Sequence, residues 1–223
     1  MTHPLFFWVQ RSSNTTMITD VTGVLLAGGK SKRMGKDKRF LLVGGRQLYE
    51  RSLAVLRSLF QEVRIVIAQD SPPLSSDVPV LRDLVPDCGT LGGIYTGLKQ
   101  AATEHIFTVA CDMPFLNPAV IRHLVSLKGQ ADIVIVLVRQ GLQPTHAVYS
   151  RRCLPVFEEM VKTGRLKVQD CIGHPSIKVR LVEYEELREI DPEGHSFLNV
   201  NTPTDLEAVR LLDGQPTKSH PPG

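Results

Sequence analysis

The stretch TGVLLAGGKSKRMGKDKRFL, residues 22–41, passes from an apolar run into a glycine pair and then into a cationic segment. Val24-Leu25-Leu26 has β propensity and reads as the end of a buried strand. A strand that runs into glycines and cations suits an anionic ligand, and two phosphate motifs can be tested against it. A P-loop needs a glycine, four residues and then Gly-Lys-Ser/Thr. With Gly29-Lys30-Ser31 as its end, the first glycine would fall at Val24, inside the strand. The dinucleotide pattern G-x-G-x-x-G fails as well, because Gly28 and Gly29 are adjacent and the next glycine is Gly35. What remains is a strand, a glycine pair and a cationic loop that ends at Lys38. Glycines let backbone N–H groups approach an anion closely, and Ser31, Lys32 and Arg33 lead into the loop. Arg33 and Lys38 are the cations aimed at a triphosphate, where they would offset charge developing on a leaving pyrophosphate. The plainer reading is a glycine-rich turn followed by a solvated basic loop. The full spacing through Met34, Gly35, Asp37 and Lys38 argues against it.

The rest of the chain bounds what this segment can serve. At 223 residues and 42% hydrophobic content, the chain can bury one sizeable core and lies near the upper end for one domain. A net charge of +3 permits an anionic small molecule and argues against nucleic acid. No apolar run reaches the roughly 18 residues of a membrane-spanning helix. Cys88, Cys111, Cys153 and Cys171 lie far apart with no C-x-x-C spacing, so reduced cytosolic thiols and a cytoplasmic location are expected. Residues 1–16 fall outside the periodic pattern and read as a disordered leader, with Met17 as an alternative start. Their apolar stretch is too short for a signal peptide. Residues 17–212 are expected to form a single domain, and 213–223, polar and rich in proline and glycine, a frayed tail.

Between those ends, short apolar runs alternate with helical patterns. Strands are expected over 23–27, 63–68, 78–81, 105–110, 132–138 and 147–149, with further ones over 177–182 and 196–200. QLYERSLAVLRSL spaces Leu48, Leu53, Leu56 and Leu59 along one helical face. NPAVIRHLVSL and TPTDLEAVRLL open on Asn117 and Thr202 as caps, each with proline next. The alternation predicts an α/β fold with a mostly parallel sheet covered on both faces. Ligands bind such sheets beyond the carboxyl ends of the strands.

Several acids and amides fall at such ends. FTVACDMPFL runs an apolar strand into Asp112, the best candidate metal ligand, since magnesium usually takes one or two carboxylates plus substrate phosphate oxygens. A turn-capping aspartate before Pro114 is the competing reading. Cys111 beside it has no partner base and reads as a small core filler. In VLRDLVPDCGTLGGIYTGL, Asp83 follows another apolar strand, and Gly89, Gly92 and Gly93 surround Thr90. A glycine-lined loop there would let a flat base lie against the backbone before a helix over 93–102. In FLNVNTPTDL, Asn201 precedes the helix cap and could order metal or phosphate, although local capping equally explains it. His146, after Pro144-Thr145, could face a pocket, but a lone histidine is more often structural.

Taken in order, LLAGGKSKRMGKDK, RDLVPDCGTLGGI, ACDMPFL, QPTHAVY and FLNVNTPTDL resemble the molybdenum cofactor guanylyltransferases of the MobA type, over about residues 21–210. The front motif is shared with many nucleotidyltransferases, while its combination with CDMP and NVNTP is more specific. The resemblance implies a three-layer, Rossmann-like nucleotidyltransferase fold that binds GTP and Mg2+. It implies transfer of GMP to the phosphate of molybdenum-molybdopterin, with release of pyrophosphate. Carried over by position, Leu26, Ala27 and Gly28, with Gly29 beside them, would contact the nucleotide. Lys38 would hold its phosphates, Asp83 would also touch it, and Asp112 would bind magnesium. Transient contacts with the proteins that deliver the pterin and receive the product are implied too. Two departures stand out: the family can carry an asparagine after its second strand, where this chain has apolar residues around Val66, and a histidine where this chain has Gln143. A cytidylyltransferase for the same cofactor, a sugar-phosphate nucleotidyltransferase and a non-catalytic nucleotide-binding regulator are the alternatives.

Overall fold

The computed structural model describes residues 16–28 and 37–214. The expected leader up to residue 15, residues 29–36, which include Gly29 and Arg33, and the expected tail from 215 lie outside the described residues. The apolar runs fold as β1 (Val21–Leu26), β4 (Val63–Ile67), β5 (Val80–Arg82), β6 (His105–Ala110), β7 (Ile133–Val138), β8 (Gly141–Ser150) and β9 (Val179–Glu183). A small hairpin pairs β2 (Leu42–Val43) with β3 (Arg46–Gln47). The seven long strands form one sheet in the order β5-β4-β1-β6-β8-β7-β9. All neighbours in it are parallel except around β8, which runs antiparallel to both β6 and β7.

Helices cover both faces, because alternate strand residues are apolar on each side. On one face Leu25, Ile65, Phe107 and Val109 pack against α1 (Leu48–Leu59) and α3 (Pro118–Ser126). On the other, Val24, Leu26, Val66 and Ile106 meet α2 (Gly89–Gln100) and α4 (Leu154–Lys162). The leucines predicted to line α1 are all buried. Asn117 and Thr202 cap α3 and α6 (Pro203–Leu212) as expected, accepting hydrogen bonds from Ala119 and Asp205 amides. A short α5 (Tyr184–Leu187) completes the helices of the described residues.

Three expectations need correction. Residues 196–200 are not a strand: His195–Phe197 form a 3-10 turn, after which Val200 makes a single bond to the sheet side, its N–H to the Asp112 carbonyl at 2.9 Å. Alternation alone makes a strand only where a neighbour offers a ladder. Second, the predicted 147–149 strand begins at Gly141, because a shift in register past Ile135/Val136 absorbs Pro144 without breaking the pairing to β7. Third, α2 begins at Gly89, not 93, so Thr90 lies in its first turn and not in a loop. The glycines there serve close packing. A Cβ on Gly93 would stand 3.1 Å from Leu26 Cδ2, and one on Gly97 2.9 Å from Val24 Cγ1.

Candidate active site

The chain runs from β1 outward to β4 and β5, then returns through α2 to β6 on the opposite side of β1. That reversal leaves a crevice at the carboxyl ends of β1 and β6, where open α/β sheets take ligands. A cleft of about 280 Å³ occupies it. Leu26 and Gly28 border it from β1, Asp83 from the end of β5, Thr90 from α2, Asp112 from the end of β6 and Asn201 from the turn before α6. The structure thus gathers into one place residues that the sequence scatters over more than half its length. Ala27 is buried with its side chain in the α1 face of the core, so its backbone alone is available to a ligand. Gly28 is required by contact: a Cβ there would lie 2.7 Å from the Ala68 nitrogen. Val66, Gly93, Asn199 and Thr145 also line the cleft, and of these Thr145 was given no role from the sequence. Thr145 has no local signal, because it reaches the cleft only through the antiparallel β8.

Lys38 and Asp112 define the charge of the site. Asp37 caps the 3-10 turn Lys38–Phe40 through the Arg39 amide at 3.0 Å and grips the Arg39 guanidinium at 2.5–3.0 Å. Burial opposes ionisation of Asp37, yet the Arg39 bonds and charge hold its pKa below the usual value. Arg39 is thereby tucked inward, and Lys38, its neighbour, reaches the cleft. The Lys38 Nζ donates to Asn201 Oδ1 at 2.6 Å and stands 3.5 Å from Asp112 Oδ2. Asp112 is largely buried, which pushes its carboxyl pKa up, while the Lys38 charge and hydrogen bond pull it back. The neighbouring Cys111 thiol is pushed up to about 12 by burial and by Asp112, so it is no nucleophile.

A second hollow of about 440 Å³ adjoins the cleft, with Gly28, Asp83 and Gly89 common to both. Its wall carries Gln69, Asp70 and Asp87. The turn that presents Gln69 is pinned by Arg82 Nη1, which donates to the Ala68, Gln69 and Ser71 carbonyls. Asp83 has one carboxylate oxygen buried and without a hydrogen-bond partner among the described residues. Burial raises its pKa to about 6, despite the Thr96 hydroxyl. A larger open groove of about 650 Å³ lies beyond Pro114, along Arg46, Arg51, Phe115 and His195. Among the described residues, none of the predicted site residues lines it.

His146 does not face the cleft. Strand alternation turns it to the α1 face, where its ring packs edge-on to Phe107 at 5.4 Å and tilted against Phe197 at 5.0 Å. It is fully buried, and neither ring nitrogen has a partner among the described residues. Burial lowers its pKa from 6.5 to about 3, so it is neutral in the fold. A depressed histidine pKa means that the unfolded chain binds the extra proton. This contribution to stability is therefore complete above pH 6.5 and falls as pH drops toward about 3. The limiting slope is about 1.4 kcal/mol per pH unit for one proton. Melting curves between pH 7 and 4 are expected to show a shallower acid decline in His146→Phe than in wild type, and parallel declines would contradict the assignment.

Fold and crevice together define a nucleotidyltransferase class of α/β protein. Residues 23–174 match the model of the MobA-like NTP transferase domain. The chain is 38% identical to the probable molybdenum cofactor guanylyltransferase of Pelotomaculum thermopropionicum, over 86% of this chain and 92% of the relative. It is 36% identical to the molybdenum cofactor guanylyltransferase of Desulfosudis oleivorans, over 84% and 93%. The solved structure of molybdopterin-guanine dinucleotide biosynthesis protein A from Archaeoglobus fulgidus superposes with a TM-score of 0.76 at 25% identity, covering 87% of this chain and 99% of that one. The chain belongs to the MobA-like NTP transferases, among the molybdenum cofactor guanylyltransferases.

Proposed function

We propose that the protein transfers GMP from GTP to the terminal phosphate of molybdenum-molybdopterin, with pyrophosphate as the other product. The observation that carries this reading is the convergence of Lys38, Asn201 and Asp112 at the crevice between β1 and β6. A phosphate oxygen of the acceptor forms the new bond to the α-phosphorus of GTP while the bond to the β-phosphate oxygen breaks. The attacking phosphate is already ionised at neutral pH, so no strong general base and no covalent enzyme intermediate are needed. Catalysis is alignment and charge neutralisation. Lys38 supplies a fixed cation for the phosphates, and Arg33, five residues earlier in the sequence, is assigned the same task.

The donor set at the cleft fits magnesium. No group of three or more His, Cys, Asp or Glu side chains that could hold a metal occurs among the described residues. Magnesium seldom needs one, since it is held by one or two carboxylates with substrate phosphates and water. Asp112 is the carboxylate for it, and Asn201 offers a neutral oxygen nearby. Bound there with GTP, the ion would offset phosphate charge in the transition state.

Guanine is favoured by the second hollow. Its N1–H and amino group are donors, and the hollow is lined by the Asp83 carboxylate, with the Gln69 amide beyond it, as acceptors. The pairing edge of cytosine would set two acceptors against the same wall, which penalises the cytidylyl alternative. Gln69 stands three residues past Val66 and supplies an amide on the wall of that hollow. Pyrophosphate release with each of the four nucleoside triphosphates, with and without the molybdenum-loaded pterin, tests the assignment. Release is expected only with GTP and acceptor together. Acceptor-independent release, or none with any nucleotide, would contradict it.

A further inference from the structure

We propose that Asp205, which lines none of the three cavities, is a positioning residue that holds Lys38 in place through Asn201. Asp205 stands at the third position of α6, where a carboxylate ordinarily reaches back to the N–H of the cap residue, here Thr202. Its Oδ2 does so at 2.8 Å, but it also accepts the N–H of Asn201, one residue upstream of the cap, at 2.8 Å. A cap has no use for that second bond. Its consequence lies in the cleft, where the clamped Asn201 places its Oδ1 2.6 Å from Lys38 Nζ. On the other side of Asn201, Val200 N–H bonds the Asp112 carbonyl at 2.9 Å. Residues 200–202 therefore form a short splint fixed to α6 at one end and to the Asp112 backbone at the other, with Lys38 hung from its middle. The Asp205 carboxyl lies below its usual range chiefly through the Asn201 N–H, against burial, then through Thr202 and the charge of Lys38.

The inference rests on the nucleotidyl-transfer reading for its kinetic test and on hydrogen exchange for one that is independent of it. In Asp205→Ala, kcat with saturating GTP and acceptor is expected to fall roughly a hundredfold, the scale set by misplacing a group by about 1 Å. Asn201→Ala should lose as much, and the double variant no more than Asn201→Ala alone, because both act through one contact. Thr202→Ala removes the hydroxyl that accepts the Asp205 N–H but leaves the Asn201 bond intact. It should lower Tm about as far as Asp205→Ala while kcat stays within about twofold of wild type. Asp205→Asn, which keeps an acceptor oxygen, should recover most of the rate. A purely capping role predicts wild-type kcat in Asp205→Ala at equal loss of Tm, and that result, or additive losses in the double variant, would overturn the proposal. Amide exchange at Asn201 in the free enzyme should lose protection in Asp205→Ala and keep it in Thr202→Ala. If wild type releases no pyrophosphate from GTP, the guanylyl reading fails and this exchange pattern alone decides the clamp.

Discussion

Asp112→Asn is expected to abolish turnover while leaving the fold at least as stable as wild type. The two halves of that result have one cause. Burial raises the pKa of the Asp112 carboxyl, so the folded state disfavours its ionised form relative to the unfolded chain. A neutral amide of the same shape removes that cost. Lys38 keeps its hydrogen bond to Asn201 when the carboxylate goes, so the site does not collapse. What is lost is the charge that faces the cleft. Removal of one electrostatic contact to a reacting group typically costs up to roughly a thousandfold in kcat, and at least that is expected here. The concentration of Mg2+ needed for half-maximal rate with the residual activity should rise, because the assigned carboxylate is absent. Steady-state rates, a magnesium titration and a melting curve on one preparation check all three. Full activity would remove Asp112 from the reaction and leave Asp83, the other buried carboxylate of the cleft, as the metal ligand.

Lys38→Ala is the second large effect. The ammonium is held on both sides, by Asn201 and by Asp112, and so meets phosphate without first having to be ordered. One well-placed donor to developing charge is worth about 3 kcal/mol, or a loss of roughly a hundredfold or more in kcat. The substitution also leaves Asp112 without the charge and hydrogen bond that lower its pKa. The acid limb of the pH–rate profile should therefore move to higher pH in this variant. Lys38→Arg is not expected to rescue it, since a planar guanidinium cannot occupy the place of a compact ammonium between two oxygens. Rates near wild type in Lys38→Ala would assign the phosphate cation elsewhere, first to Arg33.

The parallel half of the sheet was legible because its strands are continuous apolar runs punctuated by glycine, proline or acid. β1, β4 and β6 each lie within a residue or two of their expected bounds. The opposite edge was less so. β8 hides behind Gly141, Gln143 and Pro144, which carry no strand signal and are tolerated only because the pairing with β7 shifts there. The hairpin of β2 and β3 is too short for any periodicity to register. For the site, strand-end acids and glycines sufficed to pick out Asp83, Asp112 and Gly28. His146 reads as structural, as a lone histidine more often is, and the structure agrees: its neighbour Thr145, not it, takes the cleft face of β8. The role of Asp205 was masked by a satisfactory local explanation: Thr-x-x-Asp reads as a capping box and nothing more until Asn201 is seen to share its carboxylate.

A hollow lined by the Asp83 carboxylate would favour the donors of guanine, and a wrong base would leave buried polar groups unmatched at about 1–3 kcal/mol each. The decisive measurement is a competition of equal GTP and CTP for one enzyme sample with the molybdenum-loaded pterin, the dinucleotide products being identified by mass. The guanine product is expected in excess by at least roughly tenfold, the lower end of that penalty. Equal incorporation, or an excess of the cytosine product, would contradict guanylyl transfer.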